Sequence, residues 1–345
     1  MDKVRLGRTN LMVSKLGFGS IPIQRVPDDE AIAIIRRSLD LGITYIDTAN
    51  AYTTSEGRIG RATSDWKGEL VLSTKSQSRT PEGVAKHLQQ SLEQLAVESI
   101  DLYQIHNVSD FDNLEMVLDP KGPMPTLEKA KREGKIKHIG ITCHQIDVAK
   151  AAVRSDRFET VMFPLNFVAC EAADELIPLA REHDVGYIAM KPLAGGMIDN
   201  ATIAIKYLLQ FPDVVPIPGI ERIAEIEEIT GVVEGTWAMT PAEQQEMERI
   251  RQESGNEFCR RCDYCQPCTA EIPISTVMAF PAMVKRMPRE RLFSGFIADA
   301  MEKAANCTEC GNCEERCPYH LPIMEMVARH VEWYETEKQK WTGAA

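Results

Sequence analysis

ELVLSTKSQSRTPEGVAKHLQQSLEQLAVESIDLYQIH, residues 69–106, joins two short apolar segments through a longer amphipathic one. The outer segments, residues 69–75 and 99–106, have apolar cores, as expected of parallel strands that are buried on both faces. The middle segment opens with Thr80 and Pro81, a helix N-cap followed by proline at the first helical position. This stretch therefore predicts a strand, a helix and a second strand.

The same alternation continues along the chain to about residue 230. Strand candidates with largely apolar cores lie at residues 13–20, 42–47, 69–75, 99–106, 135–142, 160–166, 185–191 and 213–219. Strands that are each followed by a helix predict an α/β fold, a closed (β/α)8 TIM barrel. An open, doubly wound sheet is the alternative, but no G-x-G-x-x-G motif follows an early strand, which weakens the Rossmann interpretation.

Charge and hydropathy argue against several classes of partner. The net charge is -12, from 39 basic and 51 acidic residues, whereas nucleic-acid-binding proteins are usually basic. No apolar run approaches the ~20 residues of a membrane helix. Residues 1–19 lack the apolar core of a signal peptide. We therefore expect a cytoplasmic protein without a nucleic-acid or membrane partner, and its oligomeric state stays open.

Cysteines are concentrated near the C-terminus, where eight of the ten lie in two runs. The first run is Cys259, Cys262, Cys265 and Cys268, and the second is Cys307, Cys310, Cys313 and Cys317. Runs of this kind in a reducing compartment indicate metal ligands. The second has the C-x2-C-x2-C-x3-C-P spacing of an iron–sulfur site. The scattered Cys143 and Cys170 are predicted to be small buried hydrophobes.

The two runs predict two 4Fe–4S clusters in a ferredoxin-like domain. In two-cluster ferredoxins the fourth cysteine of each run ligates the other cluster. One predicted ligand set is therefore Cys259, Cys262, Cys265 and Cys317, and the other is Cys268, Cys307, Cys310 and Cys313. The first run departs from the pattern, because only two residues precede Cys268 and Thr269 follows it instead of proline. A pair of four-cysteine zinc sites is the alternative.

These patterns divide the chain into two predicted domains. The barrel is predicted to cover residues 1–254, with a helix at 238–255 and a linker near Gly255. A small, mainly helical domain with the cysteine runs is predicted at residues 255–345. We expect residues 275–305 to be mostly helical, and the polar residues 334–345 to form a loose tail.

Polar side chains stand at the carboxyl ends of neighbouring predicted strands. Asp47, Lys75 and His106 each end a strand, and Tyr52 lies in the loop after Asp47. In a (β/α)8 barrel these strand ends share the face that carries active sites. A single aspartate here could be only a helix cap, but four residues on one face that can hold or pass a proton predict a catalytic site.

The residues around this site carry a family resemblance. YIDTANAYTTSEGRIG (residues 45–60), with STK and YQIH at the next two strand ends, resembles the aldo-keto reductase family. KIKHIGIT, AMKPLAGG and PIPG continue the resemblance in order, so that it covers roughly residues 5–234. The added cysteine-rich segment resembles a bacterial and archaeal subgroup of that family.

The resemblance implies an oxidoreductase that moves a hydride between a nicotinamide and a carbonyl or alcohol substrate. Tyr52 would donate the proton to the developing alkoxide, and the Lys75 ammonium would lower the tyrosine pKa from its usual value of about 10. Asp47 would keep Lys75 charged and oriented. His106 would hydrogen-bond the carbonyl and position it.

The resemblance also implies contacts with NADP or NAD. The implied residues are Thr142, Met190, Lys191, Pro192, Leu193, Gly195, Gly196, Gly219 and Arg222. Several positions depart from the family pattern: Thr142 and Cys143 replace a common Ser-Asn pair, and Met162 replaces a common glutamine. Met190 replaces an aromatic residue that often stacks on the nicotinamide. Glu221 stands where a basic residue often meets the 2′-phosphate of NADP, so the choice between the two cofactors stays open.

Three hypotheses connect the barrel to the clusters. In the first, the clusters carry electrons to or from the barrel or an external electron carrier, which requires a converter between hydrides and single electrons. A flavin could serve, although the sequence has no clear flavin signature. In the second, a carbonyl reductase carries purely structural clusters. In the third, the protein serves electron transfer or interaction, and its barrel no longer turns over a substrate.

Overall fold

Parallel strands build the first part of the molecule, and helices build the second. The computed structural model describes residues 1–255 and 257–343. One unit comprises Met1–Leu193 and Ile198–Thr240, and the other comprises Ala194–Met197 and the chain from Pro241 onward. The domain boundary predicted between residues 254 and 255 stays a prediction.

The strands of the first unit are short, and most begin and end close to the predicted positions. They are β1 (Lys3–Arg5), β2 (Met12–Ser14), β3 (Phe18–Gly19), β4 (Tyr45–Asp47), β5 (Val71–Ser76), β6 (Ile100–Val108), β7 (Ile136–Cys143), β8 (Thr160–Pro164), β9 (Gly186–Met190) and β10 (Val214–Ile217). Each predicted strand from residue 42 onward has its counterpart in β4–β10.

Strands β3–β10 form one parallel sheet in chain order, an eight-stranded sheet among the described residues. The first and last strands meet where Gly19 bridges Gly219. Backbone bonds from Gly17 N to Pro216 O (2.9 Å) and from Gly19 N to Pro218 O (2.8 Å) extend this seam. The sheet is therefore a closed barrel, which confirms the (β/α)8 prediction and excludes the open doubly wound sheet.

The strand predicted at residues 13–20 is wrong in part. Its first residues belong to β2, which pairs antiparallel with β1 in a separate hairpin, and only β3 joins the barrel. Lys15 lies between the two strands and is buried, and its ammonium donates to the carbonyl oxygens of Phe211 (2.7 Å) and Pro212 (2.9 Å). These two carbonyl oxygens offset the cost of burying the lysine between the two strands.

The barrel interior is filled by one apolar cluster. Tyr45, Leu102, Met162 and Ile188 contribute to it from different strands, and Val4 and Val13 join it from the hairpin. The hairpin therefore packs against the core of the barrel. Tyr45 lies two residues before Asp47, so this core supports a strand that ends in a predicted site residue.

The helices of the first unit follow the strands. They are α1 (Asp28–Asp40), α2 (Ser55–Thr63), α3 (Pro81–Leu95), α4 (Phe111–Leu118), α5 (Met124–Arg132), α6 (Ile146–Arg154), α7 (Glu171–Glu182), α8 (Ala201–Leu209) and α9 (Ile223–Glu234). Short 3-10 turns cover Gly7–Thr9 and Pro22–Arg25. Thr80 Oγ1 accepts a hydrogen bond from Gly83 N (3.2 Å) at the start of α3, which confirms it as the N-cap.

The second unit is helical wherever it has regular structure. Its helices are α10 (Pro241–Gly255), α11 (Ile274–Met278), α12 (Phe280–Val284), α13 (Arg289–Leu292), α14 (Gly295–Ala304), α15 (Asn312–Glu315) and α16 (Ile323–Thr342). The predicted helical character of residues 275–305 is confirmed. The linker predicted near Gly255 reaches Asn256, which lies outside the described residues. None of the described helices is long and apolar enough to cross a membrane.

The loose tail predicted at residues 334–345 is wrong up to Thr342, because α16 continues to that residue. Tyr334 is fully buried, and its ring packs at 5.6 Å, centroid to centroid, against both Phe280 and Phe293. Trp341, near the end of the helix, stacks on Phe293. The last two residues of that prediction lie outside the described ones.

Candidate active site and cysteine cavities

A buried ion pair lies at the carboxyl ends of β4 and β5. Lys75 Nζ donates to Asp47 Oδ2 at 2.5 Å and to the carbonyl oxygen of Thr48 at 2.5 Å. The side chains of Lys75 and Asp47 are 1% and 4% exposed. The lysine therefore has fixed partners on two sides, and its ammonium is held in one position.

Two residues that the sequence analysis did not single out complete the surroundings of Asp47. Ser73 Oγ and Gln104 Nε2 each donate to Asp47 Oδ1 at 3.1 Å, and Gln104 Nε2 also lies 2.7 Å from Ser73 Oγ. All three residues are buried. The alternation along β5 could have found Ser73, since it lies two residues before Lys75 and so faces the same side of the strand.

The protonation of Asp47 is set by opposing influences. Burial raises the pKa of this carboxyl, while the charge and hydrogen bond of Lys75 and the donors Ser73 and Gln104 lower it. Both carboxyl oxygens accept hydrogen bonds from donors, which is the pattern of a carboxylate. Asp47 therefore acts as the buried counter-charge of Lys75.

Tyr52 and His106 lie beside this ion pair. The Lys75 ammonium lies 5.3 Å from the centroid of the Tyr52 ring. The rings of Tyr52 and His106 meet edge to face, with their centroids 5.8 Å apart. Asp47, Tyr52, Lys75 and His106 are thus brought together, and their catalytic roles stay a prediction.

The loop that carries Tyr52 is fixed by a chain of buried hydroxyl groups. Thr48 Oγ1 bonds to Ser55 Oγ (2.9 Å), which bonds to Ser20 Oγ (2.9 Å), and Ser20 Oγ donates to the carbonyl oxygen of Asp47 (2.7 Å). The chain spans both ends of the loop and ties them to β4. Tyr52 therefore lies on a loop whose two ends are fixed by hydrogen bonds.

The strand end at His106 is linked to the next strand. The Arg79 guanidinium donates to the carbonyl oxygens of His106 and Asn107, each at 2.9 Å. The hydroxyl of Thr142, at the end of β7, accepts a hydrogen bond from Asn107 N at 2.7 Å. Thr142 is buried and keeps its hydroxyl proton for another acceptor. Thr142, which is predicted to contact the cofactor, thus lies one strand away from His106.

The other residues implied for the cofactor follow β9 and β10. Met190 ends β9, and Lys191, Pro192 and Leu193 follow it directly. Gly195 and Gly196 have φ of +83° and +86°, a backbone conformation that a side chain would strain. Gly195 and Gly196 belong to the segment that groups with the second unit, and Gly219 lies at the barrel seam.

Acidic residues surround Arg222 at the start of α9. Arg222 Nε donates to Glu225 Oε1 at 2.8 Å. Glu225 Oε2 accepts hydrogen bonds from the backbone amides of Glu221 (2.9 Å) and Arg222 (3.1 Å). Arg222, the basic residue predicted to contact the cofactor, is therefore already bound to a carboxylate.

The second unit contains a cavity that we call the second-run cavity. Cys268, Cys307, Cys310 and Cys313 line it, and Cys265 also borders it. Apolar side chains from the starts of α11 and α16 complete its wall. It brings together the cysteines that were predicted to form one ligand set.

A second cavity, the first-run cavity, lies in the same unit. Cys259, Cys262, Cys265 and Cys317 line it. The Arg260 guanidinium covers the Tyr319 ring at 3.9 Å, and both residues border the cavity. Each cavity thus contains the four cysteines of one predicted ligand set, and Cys265 borders both cavities.

The two remaining cysteines differ from each other. Cys143, at the end of β7, is buried, and burial raises the pKa of its thiol well above the usual range. Cys170 is partly exposed, so its prediction as a buried hydrophobe is wrong. Neither residue lines the cysteine cavities.

Comparison with protein families agrees with this geometry. Residues 15–202, more than half of the chain, match the model described as the aldo/keto reductase family. The chain belongs to the aldo-keto reductase family. Residues 258–322 match a model described as a 4Fe-4S dicluster domain, so this aldo-keto reductase carries an iron–sulfur domain after its barrel. Asp47, Tyr52, Lys75 and His106 all lie inside the matched reductase region.

Curated relatives of this aldo-keto reductase are oxidoreductases. The uncharacterized oxidoreductase YqkF of Bacillus subtilis is 27% identical over 225 residues, which cover 60% of this chain and 71% of the relative. L-galactose dehydrogenase of Arabidopsis thaliana is 31% identical over 213 residues, which cover 56% of this chain and 66% of the relative. The protein is therefore an oxidoreductase of the aldo-keto reductase type.

Solved structures share its barrel. An aldo-keto reductase of Bacillus halodurans superimposes with a TM-score of 0.63 at 24% identity and covers 72% of this chain and 96% of its own. One from Klebsiella pneumoniae, solved in complex with NADPH, has a TM-score of 0.62 at 19% identity, with coverages of 72% and 95%. At these identities the likeness shows the fold alone.

Proposed function

We propose that this aldo-keto reductase uses NADPH or NADH to reduce a carbonyl substrate, or oxidises the corresponding alcohol, and that two 4Fe–4S clusters transfer electrons. The observation that carries the first part is the buried Lys75–Asp47 pair, 5.3 Å from the Tyr52 ring and next to His106. The substrate is a small molecule with a carbonyl or hydroxyl group.

The chain's own residues supply the proton and its control. When bound, the nicotinamide supplies the hydride for the carbonyl carbon. Tyr52 donates its phenolic proton to the substrate oxygen, and the Lys75 ammonium stabilises the tyrosinate that remains. Asp47 keeps the ammonium in place, and His106 hydrogen-bonds the carbonyl oxygen and orients it. In alcohol oxidation the proton returns to Tyr52.

The nicotinamide would be held at the ends of β7 and β9. Thr142 has a hydroxyl proton left to offer a carboxamide oxygen, and Met190 can cover a ring face with its polarisable thioether. Lys191, Pro192 and Leu193 would continue the site beyond Met190. These residue types fit the cofactor, although they differ from the common pattern of the family.

The adenosine end of the cofactor would lie near Gly219 and Arg222. Glu225 binds the Arg222 side chain and is itself held by two backbone amides. A 2′-phosphate would therefore have to compete with this carboxylate for the arginine. The charge of Glu221 beside it disfavours the same phosphate. We therefore keep both NADP and NAD as candidate cofactors.

The cysteine cavities fit iron–sulfur clusters because each offers four sulfur ligands. Cys268, Cys307, Cys310 and Cys313 would hold one cluster, and Cys259, Cys262, Cys265 and Cys317 the other. When bound, such clusters supply one-electron transfer. Apolar side chains such as Ile274, Ile323 and Val327 would shield part of the second-run cavity from water, while Cys310 stays exposed at its rim.

Electron transfer from the clusters requires further components. A hydride carries two electrons and a cluster takes one, so a flavin or a comparable converter is a candidate cofactor, and an external electron carrier is a candidate partner. A carbonyl reductase with purely structural clusters is the alternative. An interaction protein without turnover is the third hypothesis, which the intact arrangement around Lys75 disfavours.

Replacement of Tyr52 tests the reductase proposal. Tyr52→Phe removes the proton donor and keeps the ring that contacts His106, so turnover of aliphatic and aromatic aldehydes should fall by about 10²–10⁴-fold. The affinity for NADPH or NADH, measured by fluorescence, should stay unchanged. Tyr187→Phe in β9 is the matched control, because it removes a buried hydroxyl away from the predicted site. Unchanged turnover in Tyr52→Phe would contradict the proposed role.

A further inference from the structure

The two cysteine runs differ at the residue after their last cysteine. The first run ends Cys268-Thr269, and the second ends Cys317-Pro318. Proline has neither a hydroxyl group nor a backbone N–H, so Pro318 cannot donate a hydrogen bond. Threonine has a hydroxyl, so the first run has gained a donor that the second lacks at this position.

The hydroxyl of Thr269 reaches a cysteine of the opposite run. Thr269 Oγ1 lies 3.7 Å from Cys310 Sγ, within hydrogen-bonding range for sulfur. Thr269 and Cys310 both border the second-run cavity. A cysteine that ligates a cluster is a thiolate and has no proton, so the threonine hydroxyl must be the donor.

Two further polar residues, Thr308 and Asn312, border the second-run cavity together with Cys310. Gly311, between Cys310 and Asn312, adopts φ of +79°, where the chain turns from Cys310 into α15. Cys310 is exposed, unlike the half-buried Cys307 and Cys313, so this sulfur lies at the rim of the cavity.

Donors of this kind act on the reduction potential of a cluster. A reduced cluster and its sulfur ligands carry one more negative charge than the oxidised form, so a hydrogen bond to a ligand stabilises the reduced form more. We propose that Thr269 raises the reduction potential of the cluster held by Cys268, Cys307, Cys310 and Cys313. This inference rests on the proposed two-cluster function. Thr269 acts on the cluster through Cys310 and is therefore a positioning residue, not a ligand.

The electron balance of this step is simple. One electron enters the cluster, no proton or bond is exchanged, and the Thr269 proton stays on its hydroxyl while its hydrogen bond becomes stronger. Because Thr269 and Cys310 are both exposed, water competes for the same sulfur and limits the effect. We expect a change of about fivefold in the one-electron equilibrium constant, which corresponds to ~40 mV.

A potentiometric titration of the holoprotein tests the proposal. Wild type, Thr269→Val and Thr269→Ser are titrated with dithionite under anaerobic conditions, and the clusters are followed by electron paramagnetic resonance. Thr269→Val keeps the shape of the side chain but removes the hydrogen-bond donor. The midpoint potential of one cluster should therefore fall by ~40 mV, which corresponds to a change of about fivefold in the one-electron equilibrium constant. Thr269→Ser retains the hydroxyl and should stay close to wild type.

Further measurements separate the possible failures. Thr336→Val in α16 is the matched control, because that hydroxyl donates to Glu332 O (2.9 Å) and not to sulfur. If iron and sulfide analysis of the wild type finds fewer than two clusters, the proposed function fails. If both clusters are present in Thr269→Val and neither midpoint moves, or if Thr336→Val moves one equally, the role of Thr269 is overturned.

Discussion

At the scale of single residues, buried charge organises the barrel. Lys75 and Asp47 are almost fully buried, and desolvation of two charges is offset only when each has several partners. Here Thr48 O binds the ammonium, while Ser73 and Gln104 bind the carboxylate. Removing one member of such a pair costs about 3–5 kcal/mol, because the other charge stays buried alone. A change to either member of the pair should therefore lower the stability of the barrel.

A second charged residue, Glu159, yields a pH-dependent prediction. His138 Nδ1 and Lys131 Nζ each lie 2.7 Å from its carboxyl oxygens, and Ile139 N donates to it at 3.0 Å. Burial alone would raise the pKa of Glu159, but these hydrogen bonds hold it at about 2, below the usual 4.5. The folded state therefore gains stability above pH 4.5 and loses it as the pH falls toward 2.

Glu159→Gln should consequently lower the free energy of unfolding by about 1–2 kcal/mol at pH 7, where the charge is fully present. The difference from wild type should shrink steadily below pH 4.5. Urea denaturation at pH 7 and at pH 3, followed by circular dichroism, measures both. Glu128→Gln, which removes a surface partner of Arg157, should lower the free energy of unfolding by less than ~1 kcal/mol. An equal loss for Glu159→Gln at both pH values would contradict the ionic explanation.

How much of the site could be predicted also depends on single residues. Asp47, Lys75 and His106 interrupt apolar runs at strand ends, so their placement was visible in the sequence. Ser73 and Gln104 lie inside strands, where a hydroxyl or amide looks like an ordinary packed residue. Strand alternation places Ser73 on the same face as Lys75, but only the folded barrel shows that Ser73 and Gln104 contact Asp47, from positions 26 and 57 residues away.

At the scale of elements, helix α16 supports the cysteine cavities. Its first turns contribute wall residues to the second-run cavity, and its later turns hold Tyr334 against Phe280 and Phe293. Composition alone predicts a loose tail at residues 334–345, because the partners of Tyr334 are about 40–55 residues distant in the chain. The division of residues 13–20 between the hairpin and the barrel is hard to predict for a related reason, because it depends on which distant strands pair with β2 and β3.

Tyr334→Ala should therefore loosen α16 and weaken cluster retention. Loss of a buried aromatic side chain costs about 3–5 kcal/mol, which a small helical unit can hardly absorb. Iron content after gel filtration should fall well below the wild-type value, while nicotinamide binding by the barrel stays unchanged. Tyr334→Phe keeps the ring packing and should retain its iron. Full iron retention in Tyr334→Ala would show that the cavities do not depend on this helix contact.

At the scale of the whole molecule, the question is whether the barrel and the clusters exchange electrons. The clearest measurement is an anaerobic titration of the purified protein, first with NADPH and then with NADH, without substrate. If the clusters transfer electrons, their visible absorption should bleach, provided that a flavin or other converter is present or is added. The contrary result is absorption that persists with NADPH and NADH, while fluorescence shows that the cofactor binds and dithionite still bleaches the clusters. This result would favour structural clusters or a separate electron donor.

The mixed origin of the cysteines in each cavity also governs how the protein can be made. All strands of the barrel precede Thr240, so the barrel can fold while synthesis continues. The first-run cavity lacks its fourth sulfur until Cys317 has left the ribosome, and the second-run cavity gains its last one only with Cys313. Under the proposed two-cluster function, neither cluster can be completed before residues 307–317 have been synthesised, so a chain that stops before Cys307 should bind neither.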